Sequence, residues 1–194
     1  GGMNGILLAG DTGSGKSTLA KLLSNWIEVA RGGEESIPTY HQISSSNNGV
    51  GLLEQIKQQV QLYPFQQQFH YIVLDEVDLL TPKAMNELKS AMNIAFGYSI
   101  WIMTTNDSKK VDAAVVNRCH TYLLDHAPST EWLPLFRRIL SDHGITDISD
   151  AAMLEQIDMC NGSGRDVIES AKQIILYREE AITQPEYHLT ANVV

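Results

Sequence analysis

Short apolar runs along this chain alternate with stretches in which apolar residues recur every three or four positions. Asn4 to Ala9 reads N-G-I-L-L-A, a continuous run of the kind that forms a strand buried on both faces. A glycine-rich turn follows, and Lys16 to Ala30 then carries Leu19, Leu22, Leu23, Trp26 and Ile27 at helical spacing. Thr39 to Ile43 predicts a second strand, Ser44 to Gly49 is turn chemistry, and Val50 to Leu62 predicts another helix. Tyr71 to Leu74 is the clearest strand of all. Thr81-Pro82 supplies an N-cap followed by proline at the first helical position, opening a helix to about Phe96. Ser99 to Met103 predicts a fourth strand, Val111 to Val116 a short helix, and His120 to Leu123 a fifth strand. After Pro128 the strand pattern stops, and three helices are expected at Thr130 to His143, Ala151 to Cys160 and Arg165 to Ile182.

This alternation calls for an α/β fold, a five-stranded parallel sheet sandwiched by helices and followed by a small three-helix unit. The expected division is an α/β core over 3–126, a helical unit over 127–182 and a tail over 183–194. The glutamines between positions 55 and 68 form a biased patch, best explained as a solvated helix face and loop.

Composition narrows the choices. Hydrophobic residues make up 43% of the 194 positions and charged residues 19%, a globular balance that excludes a disordered chain. Fourteen Lys and Arg against 23 Asp and Glu leave a net charge of −9, which excludes a protein that coats nucleic acid by bulk charge. A local basic track on an acidic body stays open. The apolar runs are too short to span a bilayer, so no membrane partner is expected. Cys119 and Cys160 are too few for a disulfide framework or a zinc site, and the expectation is a reducing compartment, cytoplasmic or, in a eukaryote, nuclear.

Gly10-Asp11-Thr12-Gly13-Ser14-Gly15-Lys16-Ser17 fits G-x-x-x-x-G-K-[ST] completely, between an expected strand and an expected helix. Such a loop curls so that successive N–H groups and the helix N-terminus face phosphate oxygens. Lys16 is then placed to neutralise the β and γ phosphates, and the Ser17 hydroxyl to ligate Mg²⁺; Thr18 follows directly. The motif predicts nucleotide binding, not a reaction. A hydrolytic site also needs a carboxylate to organise the metal and a base for water. Asp75 and Glu76 end the strand Tyr71 to Leu74, at the sheet edge where ligands of parallel sheets sit. Asp75 suits organising Mg²⁺ from outside its inner ligands, and Glu76 suits polarising the attacking water; Asp78 reads as solvated or capping. Asn106, after Thr104 and Thr105, can hydrogen-bond that water or the γ-phosphate, though Asn106-Asp107-Ser108 is equally a good turn. Arg118, expected to be exposed after the Val111 helix, suits developing phosphoryl charge. Arg165 opens the last helix, where a cation is disfavoured, so its position asks for an anionic partner; Asp166 is the plain structural one.

In their order these residues resemble the AAA+ ATPases of the clamp-loader clade, the bacterial motor subunits and the small subunits of replication factor C. The resemblance runs from about Ile6 to Leu176. Ser44 to Val50 resembles the family's Ser-and-acid-rich segment after the second strand, and Val73 to Thr81 its Walker B segment. Thr104-Thr105-Asn106 falls where the family has sensor 1. Val116-Asn117-Arg118-Cys119 is similar to the Ser-Arg-Cys motif, whose arginine reaches the ATP of the neighbouring subunit. Gly162 to Asp166 is similar to sensor 2 at the start of a lid helix. The resemblance implies a P-loop AAA+ fold with a helical lid, ATP and Mg²⁺ as cofactors, and ATP hydrolysis. It also implies a ring with AAA+ subunits of the same or a related chain, with a sliding clamp and primer-template DNA as further partners.

The sequence departs from the pattern in three places. Asn117 replaces the family's serine, the first strand begins almost at Met3, and 183–194 is too short for the family's C-terminal collar. A shortened chain or a compact relative, such as a viral one, is the expectation. Alternative readings are a viral or phage AAA+ replication helicase or initiator, a nucleotide-dependent switch with little turnover, and a small-molecule P-loop kinase. Lys57, Lys83 and Lys89 are read as lying near helix starts that could line a ring, but sparse lysines are ordinarily solvated.

Overall fold

A computed structural model describes residues 3–94 and 97–183. The described residues form two compact units that divide between Leu124 and Asp125. In the first unit the chain runs β1 (Gly5–Ala9), α1 (Lys16–Ala30), β2 (Thr39–Gln42), α2 (Val50–Val60), β3 (His70–Asp75), α3 (Pro82–Ile94), β4 (Ser99–Thr105), α4 (Ala113–Val116) and β5 (Cys119–Leu123). In the second, three helices follow: α5 (Ser129–Asp142), α6 (Asp150–Asp158) and α7 (Gly164–Thr183). The expected end of α3 at Phe96 and most of the tail at 183–194 lie outside the described residues.

All five strands are parallel, in the order β2-β3-β4-β1-β5. Tyr71, Ile72, Val73 and Leu74 of β3 are at most 1% exposed, because α1 covers one face of the sheet while α2 and α3 cover the other. That double cover is why β3 and β4 read as continuous apolar runs rather than as alternating ones. Leu8, Val73 and Ile102 pack under Ala20 of α1. Leu7, Leu53, Ile72, Leu88, Trp101 and Met103 fill the opposite side. Thr81 caps α3, its Oγ1 accepting the Ala84 N–H at 3.2 Å, with Pro82 at the first helical position.

Strand β4 runs two residues further than its apolar run, and β3 one residue further, so that Asp75, Thr104 and Thr105 end the sheet as paired, buried residues. The segment expected to be helical from Val111 is shorter. Ser108–Lys110 forms a 3-10 turn, Asp112 caps α4 by accepting the Ala114 N–H at 2.7 Å, and only Ala113–Val116 is α-helical.

The second unit has its own core of Phe136, Leu140, Met153, Ile157, Val167 and Ala171. Ser149 caps α6 and Ser163 caps α7, each accepting a backbone N–H at 3.3 Å. Among the described residues no helix is long and apolar enough to cross a membrane.

Candidate functional site

The loop from Gly10 to Gly15 leaves the C-terminal end of β1 and turns directly into α1. Gly10 has φ of 153°, and a Cβ there would lie 2.3 Å from the Leu124 carbonyl oxygen. Any side chain would push the loop away from the end of β5. Gly15 is left-handed at φ 88°, ψ 6°, the conformation that swings the chain into α1 without a side-chain cap. The first N–H groups of α1 thus stay available to an anion, as helix N-termini do generally.

Lys16 is 6% exposed. Its Nζ donates to the Asp11 carbonyl at 2.7 Å and to Ser14 Oγ at 3.5 Å. Burial lowers its pKa below the usual lysine value, opposed by the negative charges of Asp11, Asp75, Asp78 and Glu76. Because burial strips the ammonium of water, an anionic ligand beside it would favour its charged form. Asp11, Thr12, Gly15 and Thr18 are exposed around it, and Gly13 and Ser14 are half-buried.

One helical position on, Ser17 Oγ donates to Asp75 Oδ1 at 2.8 Å. The Asp75 carboxylate is 4% exposed and receives two more hydroxyls. Thr104 Oγ1 donates to Oδ1 at 2.5 Å and the Tyr40 hydroxyl to Oδ2 at 2.6 Å. Burial alone would raise the Asp75 pKa, but the bonds from Thr104, Tyr40 and Ser17, with the nearby Lys21 charge, bring it below the usual value. The same contact, added to burial, pushes the Tyr40 phenol upward. Lys21 Nζ stands 4.4 Å from the Tyr40 ring centroid.

Glu76 leaves β3 at φ 65°, ψ 51°, a left-handed conformation that costs a non-glycine residue about 1–3 kcal/mol. Its N–H donates to Thr104 Oγ1 at 2.9 Å. Asn106 lies beside it, with Nδ2 donating to Glu76 Oε1 at 3.3 Å and its N–H donating to Asp78 Oδ1 at 3.2 Å. Asp78 therefore braces the loop that carries Asn106.

The donor set suits a nucleotide with Mg²⁺. The Ser17 hydroxyl is a hard oxygen ligand, and the Asp75 carboxylate bonded to it can accept from metal-bound water, a set that suits Mg²⁺ when phosphates and water supply the rest. Among the described residues no group of three or more His, Cys, Asp or Glu side chains forms a self-sufficient metal cage.

Two expected residues lie elsewhere. Arg118 precedes β5, and its carbonyl accepts the Gly5 N–H at 3.0 Å, which puts it at the N-terminal edge of the sheet. That is the edge opposite the phosphate loop, about 13 Å away at ordinary strand rise. It is half-buried rather than exposed, because its guanidinium donates to Asn93 Oδ1 at 3.1 Å and to the Ala114 carbonyl. Arg165 belongs to the second unit, exposed in the first turn of α7; among the described residues no ion pair joins it to Asp166. Lys57 and Lys89, considered for DNA contact, are held in ion pairs with Glu87 at 2.8 Å and Asp112 at 3.1 Å.

Sequence reasoning missed Tyr40 and the role of Thr104. A threonine closing an apolar strand beside Asn106 was a visible signal for the second. Tyr40 had none, because its approach to Asp75 depends on β2 pairing with β3.

A sequence model of the ATPase family associated with various cellular activities (AAA) matches residues 6–124, more than half of the chain. The DNA polymerase III subunit gamma/tau of Mycoplasma genitalium is 26% identical over 98% of this chain and 35% of its own length. The replication factor C small subunit of Thermofilum pendens is 26% identical over 76% of this chain and 45% of its own. The chain thus spans less than half of either relative. Among solved structures, a DNA polymerase III gamma subunit-related protein of Thermotoga maritima superposes with a TM-score of 0.63 at 15% identity, covering 88% of this chain and 53% of that one. A RuvB variant of the same organism gives 0.67 at 17%, covering 93% and 56%. With a complete phosphate loop, an acid pair ending β3 and a family match across the whole α/β unit, this chain belongs to the AAA family of ATPases and is related to clamp-loader subunits.

Proposed function

We propose that the chain is a Mg²⁺-dependent ATPase of clamp-loader type, using ATP binding and hydrolysis to drive a DNA-replication assembly. One observation carries the reading: the C-terminal ends of β1, β3 and β4 bring the Lys16 loop, the Ser17–Asp75 pair and the Glu76–Asn106 pair to one edge of the sheet. In this reading the N–H groups of residues 10–18 and the Lys16 ammonium bind the phosphates. Ser17 and Asp75 hold Mg²⁺, which when bound supplies charge neutralisation at the β and γ phosphates. Glu76 accepts the proton of the attacking water at its carboxylate, and Asn106 orients that carboxylate.

Arg118, at the opposite edge of its own sheet, is proposed to serve the nucleotide of a neighbouring subunit. Arg165 is proposed to touch nucleotide from a lid formed by residues 127–182. The names of the DNA polymerase III gamma/tau and replication factor C relatives support a replication role; the partners proposed are AAA+ subunits of the same or a related chain in a ring, with a sliding clamp and primer-template DNA. Glu76→Gln should keep Mg·ATP binding while turnover falls by roughly 10²-fold or more, and Lys16→Ala should weaken binding itself. Mixing Arg118→Ala with Glu76→Gln chains should restore part of the activity. Near wild-type hydrolysis by both the Glu76 and the Lys16 variants would refute the assignment.

A further inference from the structure

We propose that Tyr40 and Thr104 are positioning residues that divide the support of this site between them, Tyr40 setting its Mg²⁺ affinity and Thr104 also setting its turnover. The proposal rests on the nucleotide-site reading above.

Asp75 is clamped from three directions. Tyr40 comes from β2, where it pairs with Val73 and so shares the α1 side of the sheet with Asp75. Thr104 comes from β4 on the other flank, and Ser17 from the first turn of α1. With hydroxyl donors on both carboxylate oxygens, the carboxylate plane cannot rotate without losing a charge-assisted bond. Tyr40 holds Oδ2 alone, so its removal frees one side of the plane. Its ring is itself held under the Lys21 ammonium, one helical turn after Ser17. Among the described residues the hydrogen bond of the Tyr40 hydroxyl goes to Asp75.

Thr104 is different. Its single proton goes to Asp75 Oδ1 while its oxygen accepts the Glu76 N–H. That second bond fixes the first residue after β3 in its left-handed conformation, and with it the direction in which the Glu76 carboxylate leaves the sheet. Losing the hydroxyl therefore loosens the metal carboxylate and the water-activating carboxylate together. Outer partners of metal ligands commonly change metal affinity by about 10–100-fold when removed.

The test titrates Mg²⁺ against binding of a fluorescent, slowly hydrolysed ATP analogue, and in parallel against ATP turnover. Tyr40→Phe keeps the ring over Lys21 and should raise the Mg²⁺ half-saturation for analogue binding by about 10-fold, with turnover at saturating Mg²⁺ within about twofold of wild type. Thr104→Val should raise the Mg²⁺ requirement as well and lower turnover by roughly 10-fold or more even at saturating Mg²⁺. Thr104→Ser, which retains the hydroxyl, should recover most of both. Melting curves without ligand identify any variant that fails to fold, and the Thr104 pair then decides the result. An unchanged or lowered Mg²⁺ half-saturation in Tyr40→Phe, or a Thr104→Val chain with wild-type saturated turnover, overturns this inference and leaves the nucleotide site standing. Loss of all Mg²⁺-dependent analogue binding in the wild-type chain, or full binding by Lys16→Ala, overturns both.

Discussion

Glu28 is less exposed than Asp75 or Lys16, and it carries a sharp prediction. It sits in the last turn of α1, 1% exposed, at a helix end where a negative charge is disfavoured. Two donors hold it: the Tyr71 hydroxyl at 2.7 Å on Oε2 and the Gln68 N–H at 2.8 Å on Oε1. Tyr71 is also 1% exposed, and its phenol pKa is raised by burial and by the bond to Glu28. Tyr71→Phe removes that donor and little volume, so the loss should be the bond itself. A hydrogen bond to a charged group contributes about 1.5–3 kcal/mol. In a protein of this size that corresponds to about 3–12 °C in Tm. Glu28→Gln should cost a similar amount, and the double variant less than the sum, with a coupling of about 1–2 kcal/mol in the cycle. Glu28 lies twelve residues along α1 from Lys16, about 18 Å, so nucleotide affinity should not change. Thermal and urea melts, with a fluorescent nucleotide titration beside them, measure both quantities. A Tyr71→Phe chain whose melting shifts by well under the minimum of about 3 °C would refute the reasoning, as would lost affinity with unaltered stability.

Gly10→Ala should lower stability by at least about 2 kcal/mol and weaken nucleotide binding by about 10-fold, because the new methyl meets the Leu124 carbonyl, which is pinned by the Leu124 N–H bond to the Ala9 oxygen at 2.8 Å; wild-type melting and affinity would contradict this. Burial pushes the Cys119 thiol up to about 12, against the lowering charge of Arg118, and burial with Asp166 raises that of Cys160. The sign means less thiolate at any given pH, so alkylation near pH 8 should be slow for both cysteines until the protein is unfolded, and rapid modification of either in the folded chain would contradict it.

Much of the fold was legible because its signals are local. The phosphate loop declares itself through glycine spacing, and α1 through a helical stripe that begins at Lys16 and ends at Ala30, where the structure also has it. Thr81-Pro82 marked the start of α3, since capping and a fixed proline φ act within one turn. Strand ends were less legible. Asp75, Thr104 and Thr105 are polar, so periodicity stops before them, yet neighbouring strands and α1 bury them.

What the sequence determined by itself, then, is the order of elements, the βα alternation that demands a covered parallel sheet, and the residue types of a nucleotide site. Each depends on neighbours within a few positions along the chain. What only the tertiary structure decided is which strands adjoin. The order β2-β3-β4-β1-β5 sets Tyr40 and Thr104 on either side of Asp75, 35 and 29 residues away along the chain. It also sends Arg118 to the edge opposite the phosphate loop of its own chain. Those placements follow from strand pairing and from the burial of both sheet faces, long-range effects that no local pattern of hydrophobic and polar positions encodes.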